Sequence, residues 1–134
     1  MSESASKIPT DQPPASAETI ERARVALVPA TFAGMPPTAQ VFWAVVEASG
    51  VLIRGFGAVA ASKIAVGQYE VVFSHDVSRS AFVGNTGLTG SLGVAPSGYV
   101  TVVGRFGVPN AVFVETFNAA GNFSDRAFHL VVAS

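Results

Sequence analysis

Gln40–Glu47 reads QVFWAVVE, a run of β-branched and aromatic residues with no helical period. Ala48-Ser49-Gly50 turns the chain, and Val51–Ala60 (VLIRGFGAVA) returns as a second strand, whose interior Gly55 and Gly57 mark a bulge or a close backbone approach. Side chains alternate across a strand, so Val41, Trp43 and Val45 share one face and Phe42, Ala44 and Val46 the other. Both faces are apolar, and a strand of that kind is covered on both sides. Val112–Phe117 repeats the pattern, with Glu115 its only charge. With little helix available, a second subunit is the expected cover, and Val41, Phe42, Trp43, Val45, Val112, Phe113 and Phe117 are expected in the core or a subunit interface.

Working outward, the period of two persists. Ile64–Ser74 reads as a third strand, His75-Asp76-Val77-Ser78 as a turn, and Arg79–Val83 as the returning strand. Gly84–Ser97 is a glycine-rich loop. Gly98–Gly104 is a further strand, and Ala111–Asn118 and Phe123–Ala133 form a last hairpin. About seven short strands at regular spacing predict an all-β fold, an antiparallel β-sandwich over residues 39–134. VFWAVVEASG at Val41–Gly50 is echoed by VFVETFNAAG at Val112–Gly121, two like pieces of one scaffold rather than a repeat array.

Residues 1–38 differ in kind. They hold seven of the seventeen charges and six of the eight prolines, and read as a flexible Pro/Ala/Ser-rich leader. Ser16 is placed to cap a short helix from Ala17 to Leu27, with Ile20, Ala23 and Leu27 on one face; Val25–Val28 reads equally as an edge strand.

Charged residues make up 13% of the chain against the roughly 25% usual in soluble domains. A domain so poor in charge is expected to hide apolar surface against another chain. The net charge of −1 and the lack of a Lys/Arg cluster offer no field for nucleic acid. There is no cysteine for a disulfide or thiolate site. Neither a signal-peptide pattern nor an apolar run of about 18 residues is present, so no membrane insertion is expected.

Few residues carry chemistry. His75 and Asp76, with Ser74, Ser78 and Ser80, are the types used in nucleophilic catalysis, but all fall in one tight turn. Turn chemistry explains them: Asp76 as an Asx-turn residue, His75 as its solvated neighbour. His129, between Phe128 and Leu130, is expected to be a hydrogen-bonded structural residue meeting Asp125 or Glu115 across the last hairpin. Two distant histidines make no metal set, the acids are isolated, and the glycines open no phosphate loop. No catalytic residue, metal or cofactor is therefore assigned. Asn85, Thr86, Thr89 and Ser91 in the long loop, with Tyr99 beyond it, are the candidate ligand-binding residues; the same loop also reads as a plain connection.

Trp43-Ala44-Val45-Val46, Gly50, Gly67-Gln68-Tyr69-Glu70-Val71-Val72-Phe73, Asp76-Val77-Ser78 and Phe128-His129-Leu130 occur in that order. In this the chain resembles an uncharacterised small β-domain of bacterial and phage structural or fibre-like proteins, over about Gln40 to Ala133. Similar domains often carry cysteine where this chain has Ser80 and Ser134. The resemblance implies a non-enzymatic, self-assembling structural or receptor-facing module, a homotrimer or else a dimer. It implies a virion, tail fibre or other extracellular particle as the setting, with a surface glycan or protein receptor as further partner. The rival expectation is a soluble carbohydrate- or protein-binding module.

Overall fold

A computed structural model describes residues 12–27 and 40–134. Among the described residues the fold is an antiparallel β-sandwich with one short helix, α1 (Ala17–Ala26). Eight strands follow: β1 (Val41–Val46), β2 (Leu52–Phe56), β3 (Ala58–Ala65), β4 (Gln68–Phe73), β5 (Ala81–Thr86), β6 (Gly98–Gly104), β7 (Ala111–Asn118) and β8 (Phe128–Ala133). They form two four-stranded sheets, in the orders β2-β1-β8-β5 and β3-β4-β7-β6.

Several boundaries differ from the sequence reading; β5, for one, runs through Gly84 to Thr86, into the expected loop, and β8 starts only at Phe128. Gly57 is a corner, not a bulge inside a strand. Its φ of 76° is open to glycine, and a Cβ there would run into the Phe42 ring, so the chain turns from one sheet into the other and yields β2 and β3. Gly67, at φ 67°, is the β3–β4 turn, which divides the expected third strand at its N-terminal end. Lastly, β7 and β8 lie in different sheets and make no hairpin. The connection between them starts in a turn whose N–H groups, from Ala120 and Asn122, both donate to Asn118 Oδ1. The internal echo survives only in part. β1 and β7 are each interior strands of their sheets and each is followed by a positive-φ glycine, Gly50 or Gly121. Only β1 then folds back on its neighbour.

The core lies between the sheets. Phe42, Ala44 and Val46 from β1 meet Tyr69, Val71 and Phe73 from β4, Val112 and Val114 from β7, and Phe128, Leu130 and Val132 from β8. The Tyr69 ring meets Phe128 edge-on at 5.1 Å, and its hydroxyl donates to the Ala48 carbonyl at 2.7 Å, so no polar atom of that side chain is stranded in the core.

Part of the outer side of the β3-β4-β7-β6 sheet, over β4 and the start of β7, is covered from within the chain. Ser16 caps α1 by accepting from the Thr19 N–H, and Ala23 packs against Val72, Val108 and Ala111. Small side chains on both partners let the helix approach closely. Beneath it runs a buried ion pair, Arg105 Nε to Glu70 Oε1 at 2.9 Å, with side chains only 2% and 7% exposed. Such a pair survives desolvation only when its remaining donors and acceptors are met. Arg105 also donates to Gln12 Oε1 and to the Pro13 carbonyl and lies over the Phe113 ring, while Glu70 accepts from the Thr19 hydroxyl at 2.7 Å. Asn110 ties the helix down through the Ala23 carbonyl. Gln12–Leu27 is thus a docked arm rather than a loose leader, and Phe113 is buried beneath Arg105, which the arm's Gln12 and Pro13 hold. The remainder of the expected leader, residues 1–11 and 28–38, lies outside the described residues.

Candidate functional site

The other outer face is built differently. In the β2-β1-β8-β5 sheet the inward residues fill the core, which leaves Val41, Trp43 and Val45 of β1 pointing away from it. Strand register sets their neighbours. Val41 lies beside Ala133, which pairs in turn with Ala81. Trp43 lies beside Val131, and Val131 beside Val83. Val45 lies between Arg54 and His129, with Asn85 beyond. The first two rows are wholly apolar, and Val41, Trp43, Val131 and Val83 are all exposed, Val83 by 63%. Ile53, at the β1–β2 bulge, and Phe56, stacked on the inward-pointing Phe42 ring, are also exposed along the β2 edge. Arg54 is the only charge in the three rows.

The third row is closed over by the β5–β6 loop. Arg54 Nη1 donates to the Thr89 carbonyl at 2.7 Å, and His129 Nε2 bonds the Leu88 carbonyl at 3.0 Å, which puts the imidazole proton on Nε2. A Cβ on Gly87 would lie 2.9 Å from the imidazole, so glycine lets the loop come this close. Val45 is buried in this row. The loop then turns outward and exposes Leu92 and Val94 by 89% and 91%.

The candidate ligand-binding residues do not converge. Asn85 and Thr86 belong to β5, not to the loop; Asn85 faces outward beside His129, whereas Thr86 pairs with Phe128 and turns inward. Thr89 lends its carbonyl to Arg54, and Ser91 is exposed on the loop. Tyr99 stands on the opposite outer face, across from Phe117. The interface and core set also divides. Phe42 and Val112 are core; Phe113 lies under Arg105; Phe117 stacks on Phe123 at 4.9 Å. Trp43 is on the outer face, 36% exposed, and outside the core.

His75 is half-buried against the Phe42 ring, with Nδ1 2.9 Å from Ser74 Oγ, and is not simply solvated. Asp76 accepts from both the N–H and the hydroxyl of Ser78, an Asx turn. His129 meets neither acid proposed for it: Asp125 binds Lys63 and the Gly67 N–H, and Glu115 binds Gln68 on the far sheet. Ser80 and Ser134, the positions singled out by the resemblance, are 2.7 Å apart at Oγ.

Sequence reasoning missed Val83 and Val131 as surface residues. Their signal was present, since SAFVGNT alternates Ala81, Val83 and Asn85 on one side, but which side faces water is a tertiary fact. Among the described residues no group of three His, Cys, Asp or Glu side chains could hold a metal ion. A shallow apolar cleft of about 170 Å³ separates α1 from the β6–β7 turn. The Asn110 amide at its wall is spent on the Ala23 and Phe73 carbonyls. No family model, curated protein or solved structure matches the chain.

Proposed function

We propose that this chain is a non-enzymatic, self-assembling structural module whose copies meet through the outer face of the β2-β1-β8-β5 sheet. The contrast between its two outer faces carries the reading. One is covered over β4 and the start of β7 by the chain's own arm above a buried ion pair, with Tyr99 and Val103 of β6 left exposed. The other offers two uncharged rows, Val41–Ala133–Ala81 and Trp43–Val131–Val83, with no cover among the described residues. Val41, Trp43, Val131 and Val83 make a contiguous exposed apolar patch of the kind that marks an interaction site. Trp43, half-sunk at one end of its row, is the type of residue that anchors such contacts.

A flat face meeting its own copy closes by a twofold axis, whereas a ring of three needs two different surfaces. The geometry favours assembly from dimers over the trimer implied by the resemblance. A particle or fibre setting, and a receptor-facing role within it, rest on that resemblance.

Val131→Lys tests the reading. The side chain is exposed on an interior strand, so a lysine is tolerated in the monomer but sits in the middle of the contact. The variant should lose at least half of the wild-type mass in solution while keeping its β circular dichroism; an unchanged mass contradicts this interface.

A soluble carbohydrate- or protein-binding module is the second reading, favoured by Tyr99, Phe117 and Phe123. They form an exposed aromatic strip beside the Gln68–Glu115 hydrogen bond. It requires a bound glycan that Tyr99→Ala releases.

A further inference from the structure

The four sheet edges are not alike. A free edge strand exposes a row of unpaired N–H and C=O groups, and proteins that stay monomeric blunt it with charge, proline or bulges. Two edges here are blunted in that way. β2 carries Arg54 and a register shift against β1. β3 carries Lys63 and two shifts against β4. These strands adjoin at the Gly57 corner, so one flank of the sandwich is protected.

The opposite flank has none of these devices. Residues 80–104 contain no Asp, Glu, Lys or Arg, and neither β5 nor β6 contains proline. β6, GYVTVVG, pairs with β7 without a shift from Gly98↔Asn118 to Gly104↔Val112. β5 is equally regular against β8. The two strands belong to different sheets and meet through side chains, since a Cβ on Gly84 would press on Val100 and Val102. Among the described residues no strand pairs with the far side of β6; the Gly104 carbonyl alone takes a side-chain donor there, from Gln12.

We infer that β6 is a second assembly edge, on which another copy of the chain adds its own β6 antiparallel, joining two β3-β4-β7-β6 sheets into one. Several features select a second copy as the occupant. An antiparallel strand is complementary to itself about a twofold axis, so the contact closes at two subunits. At full overlap the axis passes by Thr101, the middle residue of the strand; β6 itself carries no charge, and Arg126 lies at its Gly98 end. The outward side chains of Tyr99 and Val103, 58% and 52% exposed, gain cross-strand neighbours of their own kind. The inference rests on the self-assembly reading and adds an interface distinct from the sheet face.

Thr101 supplies the test. It is exposed and lies beside Glu115, so Thr101→Lys leaves the monomer fold intact but sets two lysines opposite each other across the axis. A twofold fall in the mass of the full chain by light scattering is expected, as is an inter-subunit disulfide in Thr101→Cys on air oxidation. An unchanged mass together with no cross-link overturns the edge, whatever Val131→Lys does. If Val131→Lys leaves the mass unchanged while Thr101→Lys lowers it, the edge stands and the sheet-face reading fails. A monomeric wild type overturns both.

Discussion

Arg105 shows how one side chain can join two parts of a fold. In the sequence it stands alone after an uncharged strand and reads as a turn residue. Its partners are Glu70, on the neighbouring strands' outer face, and Gln12 and Pro13 of the arm. Removing one member of a buried pair leaves the other charged and unmet, a loss of about 3–5 kcal/mol. Arg105→Ala should therefore lower the urea midpoint strongly, and replacing the pair together, as Glu70→Gln with Arg105→Met, should restore much of the loss. Equal losses in the single and double variants would show that the pair does not hold the arm. None of this was legible beforehand, because a contact across 35 residues leaves no local pattern. The glycines were legible in kind and not in role. Gly57 asked for backbone freedom, which a bulge and a corner both require, and only its left-handed φ distinguishes them.

At the scale of elements, strands were easier to read than their connections. The β1, β6 and β7 runs were found nearly to the residue, since alternation and β-branched residues are local properties. The β7–β8 hairpin was wrong because adjacency in sequence does not say whether the chain stays in its sheet. What fixes that crossing is Asp125, in the loop between them. Burial alone would push its carboxyl up. The 2.6 Å hydrogen bond from Lys63, the donation from the Gly67 N–H and the charge of Lys63 outweigh burial and hold it below the ordinary carboxylate value. A carboxyl lowered by folding adds stability that is fully present above its unfolded pKa of about 3.9 and is lost as pH falls through the folded value. Wild-type stability should fall from about pH 5 downward, and Asp125→Asn, less stable at neutral pH, should fall less over the same interval. Urea midpoints at a series of pH values measure both slopes; parallel curves would remove Asp125 from the account.

For the molecule as a whole, the charge count predicted hidden apolar surface but not how it was hidden. Ten charges over residues 39–134 could not cover both outer faces. Part of one face is covered by the arm, which supplies Ala23 and Thr19 to it, and the docking residues Gln12–Ser16 lie in a segment whose composition read as disordered. Among the described residues the other face remains open, with Trp43, Val83 and Val131 toward solvent, and beside it run β5 and β6, whose own residues carry no charge. On the proposed reading, another copy of the chain covers both features. The molar mass of the wild-type protein at micromolar concentration, by light scattering in line with gel filtration, tests this most directly. A dimer or a multiple of it is the predicted result, and a clean monomer at 13.7 kDa across the concentration range would contradict it.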